Sequence, residues 1–186
     1  MISLSALWLP ILLASVMVFV ASAVIHMAPL WHKNDFPRMP REEEVLKALR
    51  PFAIPPGDYF LPRPGARAEM RSPEFQEKLK NGPVAVMTVM PNGMFDMTRN
   101  LGQWFIFLLV VSFFVAYITG RALGVGAPYL RVFQIAGATA FIGYSLALFE
   151  LSIWFRRSWT LTLKGAFDGL IYACLTAGTF GWLWPR

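Results

Sequence analysis

The sequence predicts an all-α integral membrane protein with four transmembrane helices and a small, mostly irregular or helical polar segment between the first two. The 186 residues are 56% hydrophobic, with a mean hydropathy of +0.49, whereas soluble domains are roughly 45–50% apolar. The charges are also segregated, because residues 32–100 hold 11 of the 17 basic and 9 of the 11 acidic side chains. The stretches outside this segment are long enough to cross a hydrocarbon core of about 30 Å.

The first predicted span covers residues 4–28. Trp8 and Trp31 stand near its two ends, as aromatic side chains do at membrane interfaces. The tripeptide at residues 21–23 resembles a signal-peptidase site, but the apolar run continues through it and no basic side chain precedes Leu4. We therefore interpret this segment as an uncleaved transmembrane helix.

The polar segment, residues 32–100, is predicted to contain two short helices. Three glutamates open the first, near residues 41–50, where negative charge suits the helix dipole, and Pro51 ends it. Ser72 is the expected N-cap of the second, near residues 73–81. The segment has too little core to be convincing as an independent domain, so we expect it to rest on the membrane surface or on a partner.

A β-branched and methionine-rich stretch follows at residues 83–90, and it is a candidate strand that would pair with residues 58–62. Four methionines in this region are spaced as on one helical face, which is an arrangement that copper could use through thioether ligands. Residues 91–93, Pro-Asn-Gly, interrupt that spacing, so an adaptable apolar contact surface is the preferred interpretation. These methionines are Met87, Met90, Met94 and Met97.

Three further apolar stretches, residues 101–123, 130–155 and 165–184, are the remaining predicted spans. Small residues form a stripe on the second of them, and Glu150 continues that stripe. We therefore expect the Glu150 carboxylate to face the interior of the bundle. The stripe consists of Ala136, Ala140, Gly143 and Ala147.

The last span carries a small residue at every fourth position. Residues four apart lie on nearly the same helical face, and the row drifts by about 40° per step. Small residues let helix backbones approach closely inside a membrane, so we predict that this row is a helix-packing face. The alternative is that glycine and alanine are simply common in transmembrane helices. The row consists of Gly165, Gly169, Ala173, Ala177 and Gly181.

Basic residues beside the spans predict the orientation. Seven lie on one side and three on the other, so the positive-inside rule places residues 32–100 in the cytoplasm and both termini in the periplasm, with a bacterial inner membrane as the expected location. The larger group is Lys33, Arg38, Arg41, Arg99, Arg156, Arg157 and Lys164, and the smaller group is Arg121, Arg131 and Arg186.

His26, Glu150 and Asp168 are predicted to meet at the cytoplasmic end of the bundle as an intramembrane polar cluster. Ionisable side chains within spans are costly and are therefore functional candidates. The cluster has three possible roles: structural ion pairing, proton or ion handling, and divalent metal binding. Structural ion pairing is the preferred interpretation. In the ion-pairing interpretation, Asp168 pairs with Lys164 at i+4 and lies in the first helical turn, where the dipole favours its charge.

No motif in the sequence assigns a reaction, a cofactor or a metal. Cys174 is the single cysteine, so no intrachain disulfide can form. His26 and His32 are six residues apart, share no helical face and match no metal-ligand spacing. A nucleophile elbow is absent, and the basic residues are not interleaved with exposed aromatics as nucleic acid binding would require.

The preferred functional hypothesis is a non-catalytic accessory subunit of a larger membrane assembly, such as a respiratory or photosynthetic one. Its expected partners are membrane lipids and either other membrane subunits or a second copy of the chain. The alternative is a small proton- or ion-linked transporter that uses Glu150 and Asp168. A membrane enzyme is the least favoured hypothesis, because the polar side chains that could build its site lack a recognisable spacing. Those side chains are His32, Asp35, Asp58 and Asp96.

Overall fold

The computed structural model describes residues 2–27, 31–94 and 96–186. The protein is mostly helical, as predicted. It divides into two compact units, one made of residues 1–36 and 96–186 and the other of residues 37–95.

The larger unit is a bundle of four helical rods. The first rod is α1 (Trp8–Met27), preceded by a 3-10 turn (Leu4–Leu7). The next two helices, α2 (Glu42–Leu49) and α3 (Pro73–Asn81), belong to the smaller unit. The remaining rods are α4 (Met97–Ala122), then α5 (Tyr129–Phe141) with a π-helical turn (Ile142–Leu146) and α6 (Leu148–Phe155), and finally α7 (Trp159–Trp182). Both α1 and α5 pack against α4 and α7, so the rods follow one another around the bundle in chain order.

Three helices among the described residues are long and apolar enough to cross a membrane: Leu4–Met27, Met97–Ala122 and Tyr129–Phe155. They support the predicted class, a helical membrane protein. The 24-residue α7 is not among the three, because it is less apolar. It carries Lys164 and Asp168 together with many glycines and threonines.

The last helix begins at Trp159, so residues 159–164 are helical although the predicted span begins only at residue 165. Thr162 is buried in this added turn, and its hydroxyl forms a 2.6 Å hydrogen bond with the hydroxyl of Ser152. Tertiary packing therefore extends the helix past its apolar stretch. As a consequence, Asp168 lies more than two turns inside α7, and the expectation that it belongs to the first turn is wrong.

The π-helical turn Ile142–Leu146 changes the phase of the third rod. Ala140, before the turn, is buried, whereas Ala147 and Glu150, beyond it, are exposed. A π-helical turn inserts residues relative to the 3.6-residue period, so the stripe cannot be extrapolated through it. The expectation that Glu150 faces the interior is therefore wrong, and Ser152 occupies the buried position instead.

The smaller unit contains α2 (Glu42–Leu49), α3 (Pro73–Asn81) and an antiparallel pair of strands, β1 (Gly57–Leu61) and β2 (Ala85–Val89). The predicted strand pairing is confirmed. Met87 lies within β2, so the helical spacing of the four methionines does not produce a methionine-lined helix face. Among the described residues of this unit only Phe75 is buried, which is too little core for a unit of this size to be stable by itself.

Candidate functional site

The row of small residues on α7 faces the third rod. A Cβ added at Gly169 would overlap Ser145 Oγ and lie 3.2 Å from Tyr144 Cβ. The two helix backbones therefore approach each other as closely as glycine permits at this point. The same face continues in both directions, with Gly165 against Leu148, Ala177 against Gly137 and Gly181 against Tyr129, while Ala173 is buried in between.

A second feature of α7 is the buried carboxylate of Asp168, which faces residues that follow α1. Trp31 Nε1 donates a 3.0 Å hydrogen bond to Asp168 Oδ1, and His32 Nε2 lies 3.0 Å from Asp168 Oδ2. The His32 ring stacks on the His26 ring, with 4.5 Å between centroids and 8° between planes. The chain thus brings together two histidines that share no helical face.

Asp35 anchors the opposite edge of the His32 ring. Its Oδ2 lies 2.6 Å from His32 Nδ1, and its Oδ1 accepts a 2.6 Å hydrogen bond from Lys164 Nζ. The hydrogen bonds from Lys164 and His32 hold the pKa of the Asp35 carboxyl below its ordinary value. Lys164 also donates to the carbonyl of Trp31 at 2.7 Å, so it ties the segment after α1 to α7 instead of pairing with Asp168 as expected.

Ser22 supports the cluster from within α1. Its carbonyl lies 2.9 Å from His26 Nδ1, and its hydroxyl accepts a 2.9 Å hydrogen bond from Trp104 Nε1. Beside it lies an open, mostly apolar groove of about 560 Å³ between α1 and α4. The groove is lined by Phe19, Ser22, Ala23, His26, Met27, Met97, Leu101 and Trp104.

His26, His32 and Asp168 each offer one ligand atom, and these three atoms lie within 4.8 Å of one another. The arrangement can act chemically either as a network of ion pairs or as a set of metal ligands. Of the predicted cluster, His26 and Asp168 meet, whereas Glu150 is exposed on α6 and takes no part.

Sequence reasoning missed the contributions of Trp31, His32 and Asp35. The spacing of His32 and Asp35 at i and i+3, directly after a span, is the one local signal that could have suggested a paired imidazole. Comparison of the chain with known protein families, with curated proteins and with solved structures finds no match.

Proposed function

We propose that the protein is a non-catalytic accessory subunit of a larger membrane assembly, of which respiratory and photosynthetic complexes are examples. In this proposal α7 crosses the membrane as the fourth span. Contacts with α1 and α5 cover much of its surface, so its less apolar composition is tolerated within the bundle. The smaller unit then lies in the cytoplasm of a bacterium, and both termini are periplasmic.

The observation that carries the proposal is the amount of apolar surface that the bundle leaves uncovered. In each of the three apolar spans, only 28% of the residues in an 18-residue apolar window are buried. One face of α4 presents large side chains, three of them aromatic, that the described residues leave exposed. These exposed side chains are Val110, Phe113, Phe114, Tyr117 and Ile118. Lipid chains and the helices of another membrane subunit are the two partners that match such a surface.

The groove between α1 and α4 is the point at which we place a partner helix. It is apolar along most of its length, and Trp104 forms one wall. The small side chain of Ala23 leaves space for a close approach of another backbone, which is how helices associate in a membrane. The geometry does not support the alternative transporter hypothesis, because Asp168 is buried within the bundle whereas Glu150 is exposed on its surface.

Purification from the native membrane in a mild detergent, followed by mass spectrometry, tests this proposal. We expect other membrane subunits to co-purify in a fixed ratio to the chain. Ala23→Trp should fill the groove and reduce that ratio several-fold, whereas Leu170→Trp, at an exposed position of α7, should leave it unchanged.

A chain that purifies alone and monodisperse would refute the accessory role. Partners that remain bound at the same ratio in the Ala23→Trp variant would instead place their contact outside the groove. The absorption spectrum of the same sample reports any pigment or haem that the partners contribute.

The proposed orientation is tested by labelling single cysteines in spheroplasts with a membrane-impermeant maleimide. In a Cys174→Ala background, a cysteine at the exposed Ser3, which precedes the first span, should be labelled directly. A cysteine at the exposed Lys80 should be labelled only after the membrane is permeabilised. The reverse pattern would show that the smaller unit is periplasmic, contrary to the positive-inside assignment.

A further inference from the structure

We propose that His26, His32 and Asp168 form a binding site for one divalent transition-metal ion of the zinc or ferrous type. This inference goes beyond the accessory role and does not depend on it. It rests on three observations: the convergence of three ligand atoms, the hydrogen bonds that hold the other atoms of the same side chains, and an imidazole nitrogen that lacks a hydrogen bond.

The first observation is the convergence of ligands from separate parts of the chain. The 3.0 Å between His32 Nε2 and Asp168 Oδ2 is close to the spacing of about 3.4 Å between two ligands of one tetrahedral zinc ion. The widest separation in the trio is within 4.8 Å. His26 is exposed at the end of α1, and its ring stacks on that of His32. To bind the metal, this ring would turn out of the stack about its Nδ1 contact with the Ser22 carbonyl, so that Nε2 closes the gap.

The second observation is that each side chain already has one atom in a hydrogen-bonding contact, which leaves its other polar atom for a metal. Asp35 Oδ2 lies 2.6 Å from His32 Nδ1, and the Ser22 carbonyl lies 2.9 Å from His26 Nδ1. Both acceptors favour the tautomer with hydrogen on Nδ1, which leaves the Nε2 lone pairs available. Metal-binding histidines almost always donate their second N–H in this way to a carboxylate or a backbone carbonyl.

Asp168 follows the same pattern. Its Oδ1 accepts the hydrogen bond from Trp31 Nε1, and its Oδ2 remains directed towards the histidines. The anchoring carboxylate is itself held, because Lys164 donates to Asp35 Oδ1. Two carboxylates and one ammonium group therefore leave a net negative charge around the imidazoles, which favours a cation at this position.

The third observation is that His32 Nε2 is buried without a hydrogen-bond partner. It lies 3.0 Å from Asp168 Oδ2, but the two atoms are not aligned as donor and acceptor. When the N–H is on Nδ1, both atoms are acceptors, and their close approach requires a cation between them, either a proton or a metal ion. A proton would bridge only His32 and Asp168, whereas a metal ion would also bind the neighbouring His26.

The donor set indicates the class of metal. Two imidazole nitrogens and one carboxylate oxygen suit zinc and ferrous iron, whereas magnesium and calcium prefer oxygen ligands throughout. Three protein ligands also leave a coordination position for water or another small ligand, as in sites that are not purely structural.

Zinc binding to the full-length protein in detergent tests the site. The chain is purified with a tag that contains no histidine, stripped with a chelator and titrated with zinc in the presence of excess magnesium. We expect one tightly bound zinc ion per chain and a higher melting temperature in its presence. His26→Ala should weaken the zinc affinity by at least about tenfold. Loss of a residue that only hydrogen-bonds a metal ligand already costs about that much, and loss of a ligand should cost more.

Two further variants make the result specific. Asp168→Asn retains the shape of the side chain and should also weaken zinc binding, whereas Glu150→Gln removes a carboxylate outside the cluster and should bind zinc as the wild type does. If the wild type shows no saturable binding, or if His26→Ala binds as tightly as the wild type, the cluster is an ion-pair network only. An equal loss in Glu150→Gln would identify the binding as non-specific and would overturn the proposal.

Discussion

Replacement of Gly169 by leucine is expected to force α7 away from the third rod and to lower the free energy of unfolding by about 3 kcal/mol or more. Even a Cβ at this position would overlap Ser145 Oγ and would come within 3.2 Å of Tyr144 Cβ and 3.3 Å of Ser145 Cβ. A hydroxyl can rotate away, but Cβ atoms move only with the backbone. The two helices must therefore separate to admit a larger side chain.

Gly178 provides a matched control on the same helix. A Cβ there would lie 3.7 Å from the Tyr129 hydroxyl, which is an ordinary contact. Gly178→Ala should be neutral or slightly stabilising, because alanine is favoured over glycine within a helix by about 1 kcal/mol. Gly169→Ala should be destabilising in spite of the same gain in helix propensity. The difference between the two alanine variants isolates the cost of the contact.

Thermal unfolding in detergent measures these differences. Leu170 is 46% exposed on the neighbouring face of α7, so Leu170→Ala should have a much smaller effect than Gly169→Leu or Ala173→Leu. Equal melting temperatures for Gly169→Leu and Leu170→Ala would show that the row of small residues is not a contact face.

Asp168→Ala is expected to lower the free energy of unfolding by about 3 kcal/mol, which is typical when one member of a buried charge network is removed. The substitution leaves Trp31 Nε1 without its acceptor and His32 Nε2 without its neighbouring carboxylate. It also weakens the connection between α7 and the segment that follows α1. The measurement is made on chelator-treated protein, so that lost metal binding does not contribute.

Two variants define the origin of this loss. Asp168→Asn keeps an oxygen that can accept from Trp31, so it should retain more stability than Asp168→Ala. Glu150→Ala removes an exposed carboxylate, and its effect should stay within about 0.5 kcal/mol. A loss in Glu150→Ala as large as that in Asp168→Ala would contradict the assignment of Asp168 as the buried member of the network.

Local sequence signals were sufficient for the class of protein and for most of its elements. An apolar run that is long enough to cross a membrane predicts a helix, because the backbone must satisfy its hydrogen bonds internally in lipid. Likewise, Ser72 accepts a hydrogen bond from the Phe75 N–H at the start of α3, as the N-cap pattern predicted. These features depend on residues only a few positions apart.

The polar cluster was predicted incompletely because its members are not close in sequence. His26 and Asp168 meet, but His32 and Asp35 join them only because the chain after α1 packs against α7 through Lys164. Glu150 was wrongly included because the π-helical turn at Ile142–Leu146 shifts the phase of the third rod. No residue pattern in the third span marks that turn.

Residue patterns therefore predicted a helical protein with apolar helices long enough to cross a membrane, the strand pairing in its polar segment and the row of small residues on α7. The helices and the row of small residues follow from local hydrogen bonding and from the period of the backbone, whereas the strand pairing follows from the composition of two segments bounded by turns. Two features could be seen only in the folded protein: which side chains share the buried polar cluster, and where the third rod changes phase. The cluster depends on contacts such as that between Asp35 and Lys164, which are far apart in the chain and meet only when the bundle has formed.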